Sequence, residues 1–124
     1  MTTTTMTVED VRTRVAGWQS NLLENAARDE HEAGQYAAKI AQGIRQNTRD
    51  LRHRARAIGN ILAILRTDSG VDTMAAALEA RRSTLLASAG RLPPRPSYGP
   101  ARRRLYVAAE DCQTTITLLR EVAP

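Results

Sequence analysis

The chain has no phenylalanine, one tryptophan, one cysteine and one lysine among its 124 residues. Each shortage excludes something. Without Phe the core must be aliphatic, drawn from twenty alanines and a supply of Leu, Ile and Val. Cys112 stands alone, so no internal disulfide can form, and a reducing cytoplasm is the expected location. No run approaches the roughly 18 consecutive apolar residues that span a bilayer, so no membrane role is expected. Residues 1–7 carry neither a basic segment nor an apolar stretch, so the sequence predicts a short flexible tail there rather than a signal peptide.

Lysine is scarce because arginine replaces it: 17 of the 18 cationic residues are Arg, and Lys39 is the exception. Codon bias in a GC-rich genome produces that pattern whatever the protein does. Arginine also grips phosphate and carboxylate through its planar fork. The alanine content, the absence of Phe and the even spread of Arg favour the codon explanation. They point to a GC-rich bacterium, such as an actinobacterium, or to one of its phages.

What is abundant is helical rhythm. Ala37, Ile44, Leu51, Ile58 and Leu65 recur every seven positions, with Ile40, Ala41, Ala55, Ile61 and Leu62 three or four residues away. Residues at that spacing share one side of a helix. Val8, Val11, Val15, Trp18 and Leu22 repeat the rhythm, as do Leu105, Ala109, Cys112, Ile116 and Leu119. The expected fold is all-α, a small bundle of about four helices. The helices are expected near 8–28, 30–67, 71–89 and 101–122, in a single helical domain over residues 8–124.

The boundaries follow from local chemistry. Thr7 can cap the first helix, with Asp10 three residues on. The acids Asp29, Glu30 and Glu32 suit a helix N-terminus better than a C-terminus. They are therefore expected to open the second helix, with Asp29 as its cap and the break between Arg28 and Gly34. The alternative is three helices, the first an unbroken rod of about 90 Å from Val8 to Thr67. Asp68, Ser69 and Gly70 form turns, and Ser69 or Asp72 can cap the third helix. Gly90 reads as a glycine stop, and Pro93, Pro94, Pro96 and Pro100 make residues 90–100 a stiff connection.

Two arginine clusters are the candidate binding features. Arg45, Arg49, Arg52 and Arg56 fall on the outer face of the second helix, and Asp50 there can pair with Arg54 four residues on. From Ala80 to Ala109 there are seven arginines and no acid, including Arg102, Arg103 and Arg104 at a helix start, where cations are disfavoured. The acidic stretch Glu24 to Glu32 is the expected counterweight. Such rows can follow a phosphate backbone, or they can be a solvated face or meet a partner's acids.

Signs of catalysis are few. Asp50 and His53 share a helix face but lie off the apolar stripe, without the further carboxylates that a di-metal bundle needs. Cys112 sits on an apolar row, as a core residue does. No phosphate loop, nucleophile triad or metal-ligand spacing occurs, so no enzyme, metal or cofactor is expected. A helix-turn-helix around Asp68-Ser69-Gly70 would present Val71-Asp72-Thr73-Met74 to DNA, with little to contact bases. Tyr106-x-x-x-Glu110 resembles the Tyr-x-x-x-Asp/Glu export signal of type VII secretion substrates over five residues. The Trp-x-Gly turn of that family is missing, since Gly17-Trp18 stands in reverse order.

The expected function is protein–protein contact, either self-association or accessory work in a larger bacterial or phage machine. Asn47 and Arg54, polar residues on the apolar seam, are of the kind that fix register in coiled coils. The alternative is sequence-independent nucleic-acid binding through the arginine faces.

Overall fold

A computed structural model of the chain describes residues 5–66 and 68–122. It is an all-α bundle: α1 (Val8–Ala33), α2 (Ala38–Ile64), α3 (Val71–Arg91) and α4 (Gly99–Arg120), with a 3-10 turn at Pro96–Tyr98. The expected tail lies partly outside the described residues, at 1–4. Its inner end is fastened, because Met6 packs on the core and forms an isolated bridge with Val122.

The first cap is as the sequence reads. The Asp10 amide donates to Thr7 Oγ1 at 3.1 Å, and the Thr7 amide donates to Asp10 Oδ2 at 2.9 Å. That reciprocal bonding holds the exposed Asp10 carboxyl below its usual range.

The second boundary corrects the expectation. Asp29, Glu30 and Glu32 do not open α2; they form the last turns of α1, which runs on to Ala33. Two contacts offset the unfavourable end charge. Asp29 accepts from the Asn47 side chain at 2.9 Å, and Glu30 is ion-paired with Arg52. The chain then turns over residues 34–37, which rules out the rod, and α2 starts at an Ala37 cap with no side-chain bond. α2 ends at Ile64; the expected end at Thr67 lies outside the described residues. Gly90 is no stop either: it lies within α3, which ends as Leu92 turns extended ahead of Pro93. The cap of α3 is Gly70, without help from Ser69 or Asp72.

The helices form two hairpins, α1 with α2 and α3 with α4, joined mainly through α2 and α4. At one end, the base, all four contribute to a core that includes Val11 and Val15 of α1, Ile58 and Ile61 of α2, Met74 and Leu78 of α3, and Ile116 and Leu119 of α4. Cys112 is buried there, and burial pushes its thiol pKa up. Arg12 of α1 ties the base to the end of α2, donating to Leu62 O at 2.9 Å and to Leu65 O. It satisfies carbonyls that a helix terminus leaves free.

Toward the α1–α2 turn the packing changes. The buried residues are small: Ala26 and Ala33 of α1, and Ala41, Thr48 and Ala55 of α2. Thr48 satisfies its hydroxyl on Ile44 O at 3.1 Å. This seam also corrects the expected heptad row. Ala37 is exposed and Ile44 and Leu51 are only half-buried, whereas Ile58 and Leu65 are fully buried. Small side chains let α1 approach closely, so α2 turns its Ala-Thr-Ala row toward α1. The larger apolar row points to the side, where α4 covers it only near the base.

Candidate functional site

The seven arginines singled out in the sequence do not form one face. Arg45, Arg49, Arg52 and Arg56 are exposed along the outside of α2, where Arg52 and Arg56 border a shallow depression with Gln19, Leu23 and Ala55. Arg103 and Arg104 lie elsewhere around α2, beside Asp50, His53 and Arg54. At roughly 100° per residue, Asp50 points about 160° from Arg52 and about 120° from Arg56, whereas His53 lies only about 60° from Arg56.

Many of the charges are used within the fold. Arg104 pairs with Asp50, at 3.0 Å from Nε and 2.8 Å from Nη2. Arg102 donates to Pro93 O at 2.7 Å and Leu92 O at 3.3 Å, just beyond the end of α3. These contacts offset the arginine cost at the start of α4; the acidic stretch of α1, the expected counterweight, is engaged by Arg52 and Asn47 instead. Arg45, Arg49, Arg56 and Arg103 have no ion-pair partner among the described residues.

Arg54 does not pair with Asp50. It makes a bidentate contact with Asp111 of α4, Nε to Oδ2 at 3.0 Å and Nη2 to Oδ1 at 2.8 Å. Asp111 keeps 7% of its side-chain surface and Arg54 keeps 46%. The contact raises the guanidinium pKa further, chiefly through the hydrogen bonds to Asp111. Sequence reasoning flagged Arg54 as a polar break in an apolar row but missed its partner. The available signal was an acid, Asp111, directly beside the core position Cys112.

Two features remain open to a ligand or partner. The first is a cleft of about 180 Å³ between α2 and the start of α4. Leu51, Ala57, Pro100 and Val107 give it apolar walls, with His53 and Arg103 also lining it. Asp50 and His53 thus face arginines, and among the described residues no three His, Cys, Asp or Glu side chains gather as a metal site.

The second is the tip of the α1–α2 hairpin. α4 runs parallel to α2 toward the base, with Arg104 of its second turn paired to Asp50. The first turns of α2 therefore lie beyond the start of α4. In that stretch Ile40 is 56% exposed, and Tyr36 in the turn is 51% exposed. On the opposite side Leu23 is 48% exposed. No helix among the described residues is long and apolar enough to cross a membrane. No known protein family, curated protein or solved structure matches the chain.

Proposed function

We propose that this protein is a non-catalytic, protein-binding helical module, working in the cytoplasm of a GC-rich bacterium or its phage. Its docking element is the α1–α2 tip. One observation carries the reading: Tyr36 and Ile40 are more than half exposed at the end of the hairpin away from the core that the four helices share. Large apolar side chains grouped on one element lose solvent contact favourably when a partner covers them. The arginine content and the lone buried Cys112 support the proposed source and compartment.

A photo-crosslinking residue placed at Ile40 tests this reading in the native host. Protein adducts should form from position 40 and be absent from exposed Ala87 on α3. Equal yields at both positions, or none at 40, would sink it.

Nucleic-acid binding is the second reading, favoured by Arg45, Arg49 and Arg56, which are exposed and have no ion-pair partner among the described residues. It ranks lower because the arginine clusters lie on two faces and Arg52, Arg102 and Arg104 are engaged internally. Duplex binding should be weak at low salt and vanish near 0.15 M, where surface charges are screened beyond about 8 Å. Micromolar binding at that salt, lost when Arg45, Arg49 and Arg56 are replaced together, would reverse the ranking.

A further inference from the structure

The cleft between α2 and the start of α4 is built from one spacing used twice. Asp50, His53, Arg54 and Ala57 line it from α2, and Pro100, Arg103, Arg104 and Val107 line it from α4. In each set the residues stand three and four apart, which places them on one side of their helix. Ala57 and Pro100 are too short to fill the space between the two helices, and a gap of about 180 Å³ remains. Its size admits little. An apolar cavity of about 150 Å³ holds one benzene ring, so the gap takes a single ring and a short substituent.

The charges select that substituent. Two of the three guanidiniums at the wall are fixed by carboxylates: Arg104 Nε and Nη2 on Asp50 Oδ1, and Arg54 Nε and Nη2 on Asp111. The Nη1 group of each makes no hydrogen bond among the described residues. Arg103 has no ion-pair partner there either. Asp50 and Asp111 thus answer two positive charges, and Arg103 leaves one over. Glu110, which acts on Arg54 through its charge, is exposed and lies outside the cleft wall.

We infer that this cleft binds a small aryl carboxylate, one aromatic ring carrying a single acid group on a short link. The ring covers Leu51, Ala57 and Val107, and the acid accepts from Arg103 and the two Nη1 groups. Guanidinium groups suit both parts, since they donate to a carboxylate through a planar fork and lie flat on an aromatic face. Because Arg54 and Arg104 are already held, little side-chain freedom is lost on binding. A second negative charge would find no further uncompensated guanidinium and would stand against Asp50, so a carboxylate is favoured over a phosphate monoester. Tyr36 and Ile40 are not part of the cleft, so the inference stands apart from the protein-binding reading of the tip. A ligand of about ten non-hydrogen atoms in a site this open should bind with a dissociation constant of about 0.1–1 mM.

Phenylacetate is the probe, titrated to about 10 mM into isotopically labelled protein at about 0.15 M salt while the amide NMR shifts are followed. Saturating shifts should cluster at residues 50–57 and 100–107. Acetate, which lacks the ring, and phenethyl alcohol, which lacks the charge, should each bind at least about tenfold more weakly. Phenyl phosphate should bind no more tightly than phenylacetate. Arg103→Gln, at an exposed position, should weaken phenylacetate about tenfold with helix content unchanged by circular dichroism. Ala57→Leu, which fills the gap, should weaken it further, and Arg103→Gln decides alone should that variant fold poorly. Arg49→Gln, on the outer face of α2, should leave the affinity unchanged.

Shifts that do not saturate, shifts spread over both arginine faces, or equal affinity for acetate or the alcohol overturn the inference. So does tighter binding of phenyl phosphate, or full affinity in Arg103→Gln. Crosslinking from position 40 reports on the tip alone, so either reading can fail without the other.

Discussion

The base and the tip of the α1–α2 hairpin are built from the same two helices, yet they are stabilised in different ways. At the base, Val11, Val15, Ile58 and Ile61 are enclosed by two further helices, the terminal carbonyls of α2 are held by Arg12, and a capping box secures the start of α1. At the tip, the seam is alanine, the N-terminus of α2 has no side-chain cap or first-turn acid, and Tyr36 and Ile40 face outward. Apolar burial scales with area removed from water, so the base contributes most of the stability. The tip retains apolar surface that folding of one chain does not bury. Amides of residues 38–47 should therefore exchange at least about tenfold faster than those of residues 58–64, as regions of few buried contacts do. Equal protection along α2 would erase the distinction.

The largest mutational contrast lies along a single helix. Ile58→Ala should cost about 2–5 kcal/mol, because it empties a fully enclosed site. Leu51→Ala should cost clearly less, since Leu51 is half-buried and its neighbourhood already opens into the cleft. Ile40→Ala should stay within about 0.5 kcal/mol. Urea unfolding of the three variants decides it, and equal costs would mean that α4 covers more of α2 than the exposure of these residues implies.

That gradient also explains what was legible in the sequence. Four helices could be read from the three- and four-residue spacing, because burying one face of a helix demands it. Which row of α2 faces α1 could not. The large residues Ile44 and Leu51 drew attention, but α1 packs closely only over Ala41, Thr48 and Ala55. The end of α1 was misplaced because the charges Asp29 and Glu30 were weighed against the helix dipole alone. Their partners, Asn47 and Arg52, lie across the turn and outweigh it. The Arg54–Asp111 contact joins residues 57 apart in sequence, and no local pattern reports such a pair. Of the candidate site, the arginine clusters were visible as composition; their separation onto two faces required the fold.

The two cross-hairpin ion pairs make the next contrast. Arg54→Met leaves the Asp111 carboxylate nearly enclosed without its guanidinium, and should cost about 3 kcal/mol. Arg104→Met breaks the more exposed pair with Asp50 and should cost no more than about 1 kcal/mol. Similar losses in the two variants would mean that water reaches Asp111 freely once Arg54 is gone.

Smaller effects sharpen the account of the tip seam. Ala26 is buried against α2, so Ala26→Leu should cost about 1–3 kcal/mol by forcing the two helices apart. The same change at exposed Ala87 on α3 should be nearly neutral. If thermal unfolding shows no loss for Ala26→Leu, the hairpin is not closely packed near its tip.

The smallest contrast compares two glycines of α2. A methyl group at Gly43, near the tip, would have nothing within 4 Å, whereas one at Gly59 would sit 3.1 Å from Gln19 Nε2. That same nitrogen donates to Ala55 O at 3.1 Å and links α1 to α2 nearer the base. Replacing a mid-helix glycine by alanine ordinarily gains about 0.5–1 kcal/mol from backbone entropy. Gly43→Ala should show that gain in full. At Gly59 the methyl group displaces Gln19 from a hydrogen bond whose net contribution is about 0.5–1.5 kcal/mol, so the two effects should roughly cancel. Paired urea midpoints measure the difference directly. An equal rise for both variants would show that Gln19 moves aside without loss, and that its bond adds nothing to the join between the helices.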